Sequence, residues 1–217
     1  MNKTIANCKV QMPTLPKDMV MTKNHNNDIE DEEQICGVLI TDCIIENQCS
    51  EKVEFKQVRF RNVIFRDVIF QRSDFEDVIF ENCDLSNIDL SDSILSKVEF
   101  INCKMVGINL AESSFIDISI KGCTGNYSNL RYSQWKRAHL EESQFRCSDF
   151  QNMKLKDINL VEVNFDESQM SGATLKGIDM SDCQIHGIGI RAEDLEGLIV
   201  SPLQAVDLSK FLGLVIK

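Results

Sequence analysis

The sequence predicts an all-β solenoid, a stack of square coils of about 20 residues each, and three observations carry that prediction. From Ile40 to Ile190 every multiple of five is apolar except Ser50 and Gly125. The residue two places earlier is Val, Ile, Cys, Ser, Ala or Met from Val38 to Ile188, with Gln48 the exception. The prolines Pro13, Pro16 and Pro202 all fall outside this run, as a ladder that uses every backbone N–H requires.

The interval of five excludes the ordinary elements. In "FKQVRFRNVIFRDVIFQRSDFEDVIF" (55–80) a helix would carry successive phenylalanines ~140° apart around its cylinder, with no apolar stripe. A straight strand would send them to opposite faces. A chain that turns a corner every five residues brings each of them to one axis. Four such sides close a square, and parallel stacking sets equivalent residues ~4.8 Å apart.

"CDLSNIDLSDSIL" (83–95) and "SDFQN" (148–152) resemble the A-(D/N)-L-x-x unit of the pentapeptide-repeat family. The resemblance implies a right-handed quadrilateral parallel β-helix. The chain then divides into an irregular N-terminal cap (1–34), the β-helix (35–195), and a C-terminal capping helix with a dimerisation tail (196–217). The segment 10–21 carries enough apolar residues to lie over the first coil, and the unbroken phase predicts no protruding loop.

Composition narrows the function classes. The chain has 217 residues, 43% hydrophobic and 26% charged, which suits a folded unit. A net charge of -11 disfavours nucleic acid and anionic membranes and leaves proteins as partners. The N-terminus lacks the apolar core of a signal peptide, and no run approaches the ~18 apolar residues of a membrane span. These features read as a cytoplasmic protein with reduced thiols.

Side chains suited to chemistry are scattered. Cys83, Cys103 and Cys123 share one inward column and are expected to form a packed ladder, because a metal site would need thiolates in an apolar interior. Cys147 falls outward and is expected to be the most reactive thiol. His25, His139 and His186 share neither a coil nor a side, and no phosphate loop or nucleophile pair appears. The expectation is no catalytic residue, no cofactor and no metal. Gly125 is the mid-rod lapse in the inward pattern, and Trp135, ten residues on, is expected to fill its missing volume from the opposite side.

Outward charges sort into columns. Asp77, Lys97, Asp117, Arg137 and Asp157 alternate in sign, which stabilises a stack. Glu142, Glu162 and Asp182 do not, nor do Lys136, Lys156 and Lys176. Asp74, Glu76, Asp77, Glu81, Asp84, Asp89 and Asp92 form an acidic belt around about one coil. These two like-charge columns and the belt make the candidate partner surface.

The C-terminus supplies a cover for the rod. In "SPLQAVDLSKFLGLVIK" (201–217) Ser201 is an N-cap, Pro202 the first helical residue, Gln204 the partner of a capping box, and Gly213 the stop. "QAVDLSKFLGLVI" resembles the C-terminal segment of the quinolone-resistance members of the family. That likeness implies a homodimer through Leu203, Leu208, Phe211, Leu212, Leu214, Val215 and Ile216. It also implies a DNA mimic that binds a type II topoisomerase, DNA gyrase or topoisomerase IV. The alternative is a cytoplasmic scaffold for another protein partner, with no topoisomerase role.

Overall fold

The computed structural model describes residues 9–22 and 29–215, and within them the chain is a parallel β-solenoid with one short C-terminal helix. Each coil has four faces, called A to D here in chain order. On face A the residues Ile35, Phe55, Phe75, Leu95, Phe115, Trp135 and Leu155 pair one above another. On face B the same holds for Ile40, Phe60, Phe80, Phe100, Ile120, Leu140 and Leu160. From Ile35 to Leu160 the register step on these faces is twenty residues, so inward apolar side chains form columns and the core runs the length of the rod.

The corner explains the interval of five. The residue two places after each large apolar one adopts a left-handed conformation, with φ from 50° to 83° between Gly37 and Gly177, as in Asn62, Asp92 and Glu142. A β-branched residue is strongly disfavoured there. None occurs at that position anywhere from Gly37 to Gly187, a signal as regular as the apolar one. Gly107 shows how tight a corner can be, since a Cβ there would lie 2.4 Å from the Asn87 Oδ1 of the coil below.

Faces differ in local structure because their outward residues differ. On face D, Asp89, Asn109, Asn129 and Asp149 each accept the N–H two residues on, at 2.9 to 3.3 Å. These side-chain turns leave only isolated bridges between coils. Face A carries Ile94, Ser114, Gln134 and Lys154 at the matching place and runs on into face B as the strands Ile94–Ile101, Ser114–Lys121, Gln134–Glu141 and Lys154–Val161.

Both ends are closed by residues that break the repeat. At the N-terminal end Ile29 is buried against the first coil. Its N–H donates to Gln48 Oε1 at 2.8 Å, and its carbonyl accepts from Ser50 Oγ. The two polar exceptions near the start of the inward pattern are therefore the fasteners of the plug. At the other end the helix Pro202–Leu208 carries the capping box, with Ser201 Oγ accepting from Gln204 N–H and Gln204 Oε1 from Ser201 N–H. Gln204 Nε2 then donates to the carbonyls of Met180 and Cys183 at 2.9 and 2.7 Å. One side chain thus caps the helix and satisfies the last coil.

The N-terminal segment differs from the expected cover. Val20–Thr22 pairs with Val38–Ile40 as one strand below face B, and the residues before it climb the outside of the rod. Thr14 N–H donates to Asp77 Oδ1 at 2.9 Å and Gln11 N–H to Asp117 Oδ1 at 3.1 Å. Those carboxylates stand two coils apart, ~9.6 Å, which is the reach of three extended residues. The arm follows the corner between faces A and B because that spacing fits it, while Val20 and Met21 stay exposed.

The volume of Gly125 is also filled differently from expectation. The ring of Phe145, one coil up on the same face, leans into the gap, so that a Cβ on Gly125 would lie 2.5 Å from Phe145 Cε1. Trp135 instead stacks on Phe115 at 4.3 Å. Residues twenty apart are neighbours along the rod, closer than residues ten apart across it.

Candidate interaction surface

The acidic belt is mostly paired. Glu76 meets Lys56 at 2.7 Å, Glu81 meets Arg59 at 2.6 Å, Asp84 meets Lys104 at 3.1 Å and Asp92 meets Arg72 at 3.4 Å. Asp77 lies 3.8 Å from Lys97. Asp89 accepts from Ser91, Gln71 and Asn109. Asp74 differs: burial and then the charge of Glu54 push its carboxyl upward, and it has no cation within ion-pair reach among the described residues. A belt built this way presents mostly alternating charge to a partner, because five of its seven acids find a base one coil away and Asp89 is held by neutral donors.

The alternating column is partly covered. Asp117 is only 3% exposed and Asp77 only 6%, under the N-terminal arm. Arg137 grips Asp117 through two bonds, 2.7 and 2.6 Å. That guanidinium, with the Gln11 N–H, holds the Asp117 carboxyl below the usual carboxylate range despite burial. The ladder thus stabilises the stack and also anchors the arm.

The like-charge columns are open to solvent. Glu142, Glu162 and Asp182 are exposed along the corner between faces B and C, and Lys136, Lys156 and Lys176 along face A. Lys176 pairs with Glu196 at 2.7 Å. Lys136 and Lys156 pair with no carboxylate among the described residues, and Lys154, which the column arithmetic passed over, stands beside them in the same state on the strand Lys154–Val161. The two columns lie on different faces and do not form one patch.

Cys83, Cys103 and Cys123 are buried. Cys103 N–H donates to Cys123 Sγ at 3.3 Å, and Cys123 N–H to Ser143 Oγ at 3.0 Å. The hydrogen bond with Cys103 and then burial hold the Cys83 thiol far above its ordinary range. On face A the serines Ser73, Ser93 and Ser113 do the same work, accepting N–H groups of the coil below at 3.0 to 3.1 Å. Among the described residues no cluster of His, Cys, Asp and Glu is arranged to hold a metal. Cys147 is not the most open thiol: Cys36 and Cys49 are exposed, whereas Cys147 is half-covered at a corner, and burial and Glu167 raise its thiol.

The tail divides. Leu208 is 7% exposed and Phe211 packs against the core, so both serve this chain's own end. Leu203, Leu212, Leu214 and Val215 are 58 to 85% exposed, and Ile216 lies outside the described residues. Between helix and last coil a depression of about 290 Å³ is lined by Leu195, Leu198, Val200, Leu208, Leu212 and Leu214 among others. His139 bonds to Asn159 at 2.9 Å, His186 lies near Asp207, and His25 is outside the described residues. Among the described residues no helix is long and apolar enough to cross a membrane.

Residues 93–170 match the family model for the pentapeptide repeat region, and residues 29–125 match that for the SV2A/B/C luminal domain. Comparison with curated protein sequences gave no significant match. Among solved structures the chain is similar to HetL, a pentapeptide repeat protein involved in heterocyst differentiation regulation from the cyanobacterium Nostoc sp. strain PCC 7120. The identity is 17% over 79% of this chain and 87% of that one, with a TM-score of 0.52. It is also similar to QnrB1, a plasmid-mediated fluoroquinolone resistance protein, at 17% identity over 91% of this chain and 99% of that one, with a TM-score of 0.48. At such identity the likeness to HetL shows the fold alone.

Proposed function

Since this chain is a pentapeptide-repeat β-helix, we propose that it is a non-enzymatic rod that binds a protein partner through the charged columns of its outer faces. The observation that carries the reading is the split between paired and unpaired charge. Most outward charges have partners one coil away, so the exceptions stand out against a neutralised background. Glu142 and Glu162 stack ~4.8 Å apart with no cation within ion-pair reach among the described residues, at a cost that a complementary partner removes. Asp182 extends that column. The exposed Leu203, Leu212, Leu214 and Val215 support an end-to-end homodimer, since apolar side chains in such number at a chain end gain by mutual burial.

A second reading, a DNA mimic that binds DNA gyrase or topoisomerase IV, rests on the net charge of -11 and the rod form. The pairing of the belt weighs against it, because imitation of a phosphate backbone needs continuous unpaired negative charge. A gyrase supercoiling assay with and without a fluoroquinolone separates the two. The expected result is neither inhibition nor protection at tens of micromolar protein. Protection of supercoiling from the drug would overturn the scaffold reading in favour of mimicry.

A further inference from the structure

Face A carries a charge asymmetry that the belt and columns do not describe. Toward the N-terminal end it holds Glu54 and Asp74 in adjacent coils, directly paired by register, with Glu76 beside them. These line a shallow depression of about 320 Å³ whose far edge is Ile94 and Ser96. Neither Glu54 nor Asp74 meets a cation within ion-pair reach among the described residues, and burial with the charge of Glu54 already pushes Asp74 upward. Toward the C-terminal end Lys136, Lys154 and Lys156 stand equally without anions, Lys136 and Lys156 directly paired by register. Between the two halves the face is uncharged: Ile94, 50% exposed, then Ser96, Ser114 and Ile116. The N-terminal arm follows the edge of this face and leaves Glu54, Asp74, Lys136, Lys154 and Lys156 exposed.

We propose that face A docks a second copy of this chain, side by side and antiparallel, about a two-fold axis between the coils of Leu95 and Phe115. Such an axis lies in the interface along the strand direction, so it reverses the rod and keeps the strands aligned. It sets the coil of Phe75 against the coil of Trp135, and the coil of Phe55 against the coil of Leu155. Glu76 then falls opposite Lys136, and Glu54 opposite Lys154, twice each because the contact is isologous. Ile94 and Ile116 of both copies meet at the uncharged centre. Lys56 falls opposite Lys156, and Glu76, which holds Lys56 at 2.7 Å within its own chain, is shared between Lys56 and Lys136, so Glu54 with Lys154 is the contact between charges that lack partners in one chain. Asp74 falls opposite the uncharged Gln134, so in each like-charge stack one member, Glu54 or Lys136, is offset by the copy. Six coils at ~4.8 Å give a contact ~29 Å long and one face wide, below the ~800 Å² per partner of a standard interface. The association is therefore weak and governed by charge, unlike an apolar contact through the tail, and it needs no other partner.

Sedimentation velocity on the full chain tests it. At ~0.01 M salt, where the screening length is about 30 Å, the average mass is expected to rise toward twice that at ~1 M salt, where it is about 3 Å. A tail contact alone gives no such rise. The pair Glu54→Lys with Glu76→Lys, and separately Lys136→Glu with Lys154→Glu, each set like charges opposite one another at positions 54/154 and 76/136 and are expected to abolish the rise. An equimolar mixture of the two is expected to restore it. A zero-length carbodiimide cross-link between Glu54 and Lys154 in the unmutated protein is expected at low salt only. Within one chain these residues are five coils, ~24 Å, apart and cannot be joined directly. A mass that ignores salt, reversed variants that associate as the parent does, or absence of that cross-link at low salt would each overturn the proposal.

Discussion

Between Phe55 and Phe100 the rings stack at the spacing of the backbone, with Phe55 to Phe75 at 4.9 Å, Phe60 to Phe80 at 4.8 Å and Phe80 to Phe100 at 5.0 Å, nearly parallel in each case. Beyond Gly125 the same backbone carries Phe145 and Phe165 with centroids 6.2 Å apart, above an apolar cavity of about 40 Å³ lined by Trp135, Phe145, Phe165, Met170 and Leu175 among others. The coil spacing is common to both halves, so the difference comes from side chains. A column of identical rings reproduces the strand repeat and fills its space. A column that drops one side chain pulls the next ring down and opens a gap behind it, and flexible Met153, Met170 and Met180 close that gap only in part.

The comparison is broken most strongly in the better-packed half. Phe80 contacts Phe60, Phe65, Phe75 and Phe100, so Phe80→Ala is expected to cost about 3 to 5 kcal/mol, read by chemical denaturation. Phe165→Ala, beside an existing void, is expected to fall at or below the low end of that range. Equal losses at the two positions would mean that the cavity does not weaken its surroundings.

Gly125 is the origin of the asymmetry and offers the next test. Gly125→Ala places a methyl against the Phe145 ring and is expected to cost roughly 1 to 3 kcal/mol as overpacking. Phe145→Leu in the same chain removes the clash, and a double-mutant cycle is expected to show coupling of about 1 kcal/mol or more. Filling the cavity acts in the opposite direction. Ala173 lines it and is buried, so Ala173→Val is expected to stabilise by about 0.5 to 1 kcal/mol, seen as a higher melting temperature. Together these changes draw the C-terminal half toward the packing of the N-terminal one.

The columns were legible from residue order because one period fixes every neighbour: Phe55, Phe75 and Leu95 lie on one wall, as their shared phase requires. The same arithmetic contains the pairing of the belt, since Lys56 and Glu76, Arg72 and Asp92, and Lys104 and Asp84 are each twenty apart. Reading the belt along the chain instead of along the rod made it look bare. Gly125 was misjudged for the same reason, its true neighbour being Phe145. The left-handed corners were visible as an absence of β-branched residues, which is harder to notice than a presence. The arm was not legible at all, because its anchors Asp77 and Asp117 lie 63 and 106 residues from Thr14 and Gln11 and answer to backbone N–H groups, which carry no sequence signature.

That arm runs from the better-packed half to the coil of Phe115 and gives the smallest expected effect. At Asp117 the carboxylate is held by Arg137 and by Gln11 N–H, so its folded pKa is lowered below the unfolded value. The stability it contributes is therefore present above the ordinary carboxylate range and lost as pH falls through the depressed folded value. Protonation, or Asp117→Asn at neutral pH, weakens the acceptor facing Gln11, and exchange of the Gln11 amide hydrogen is expected to quicken by roughly fivefold or more, the factor for about 1 kcal/mol. Asp77→Asn acts on Thr14 N–H, which is held by a carboxylate whose nearest cation, Lys97, is 3.8 Å away. If the arm releases one anchor at a time, each substitution frees its own amide and leaves the other protected. If both amides quicken together in either variant, the arm opens as a unit, and the corner between faces A and B serves as a single extended binding edge from Asp77 to Asp117.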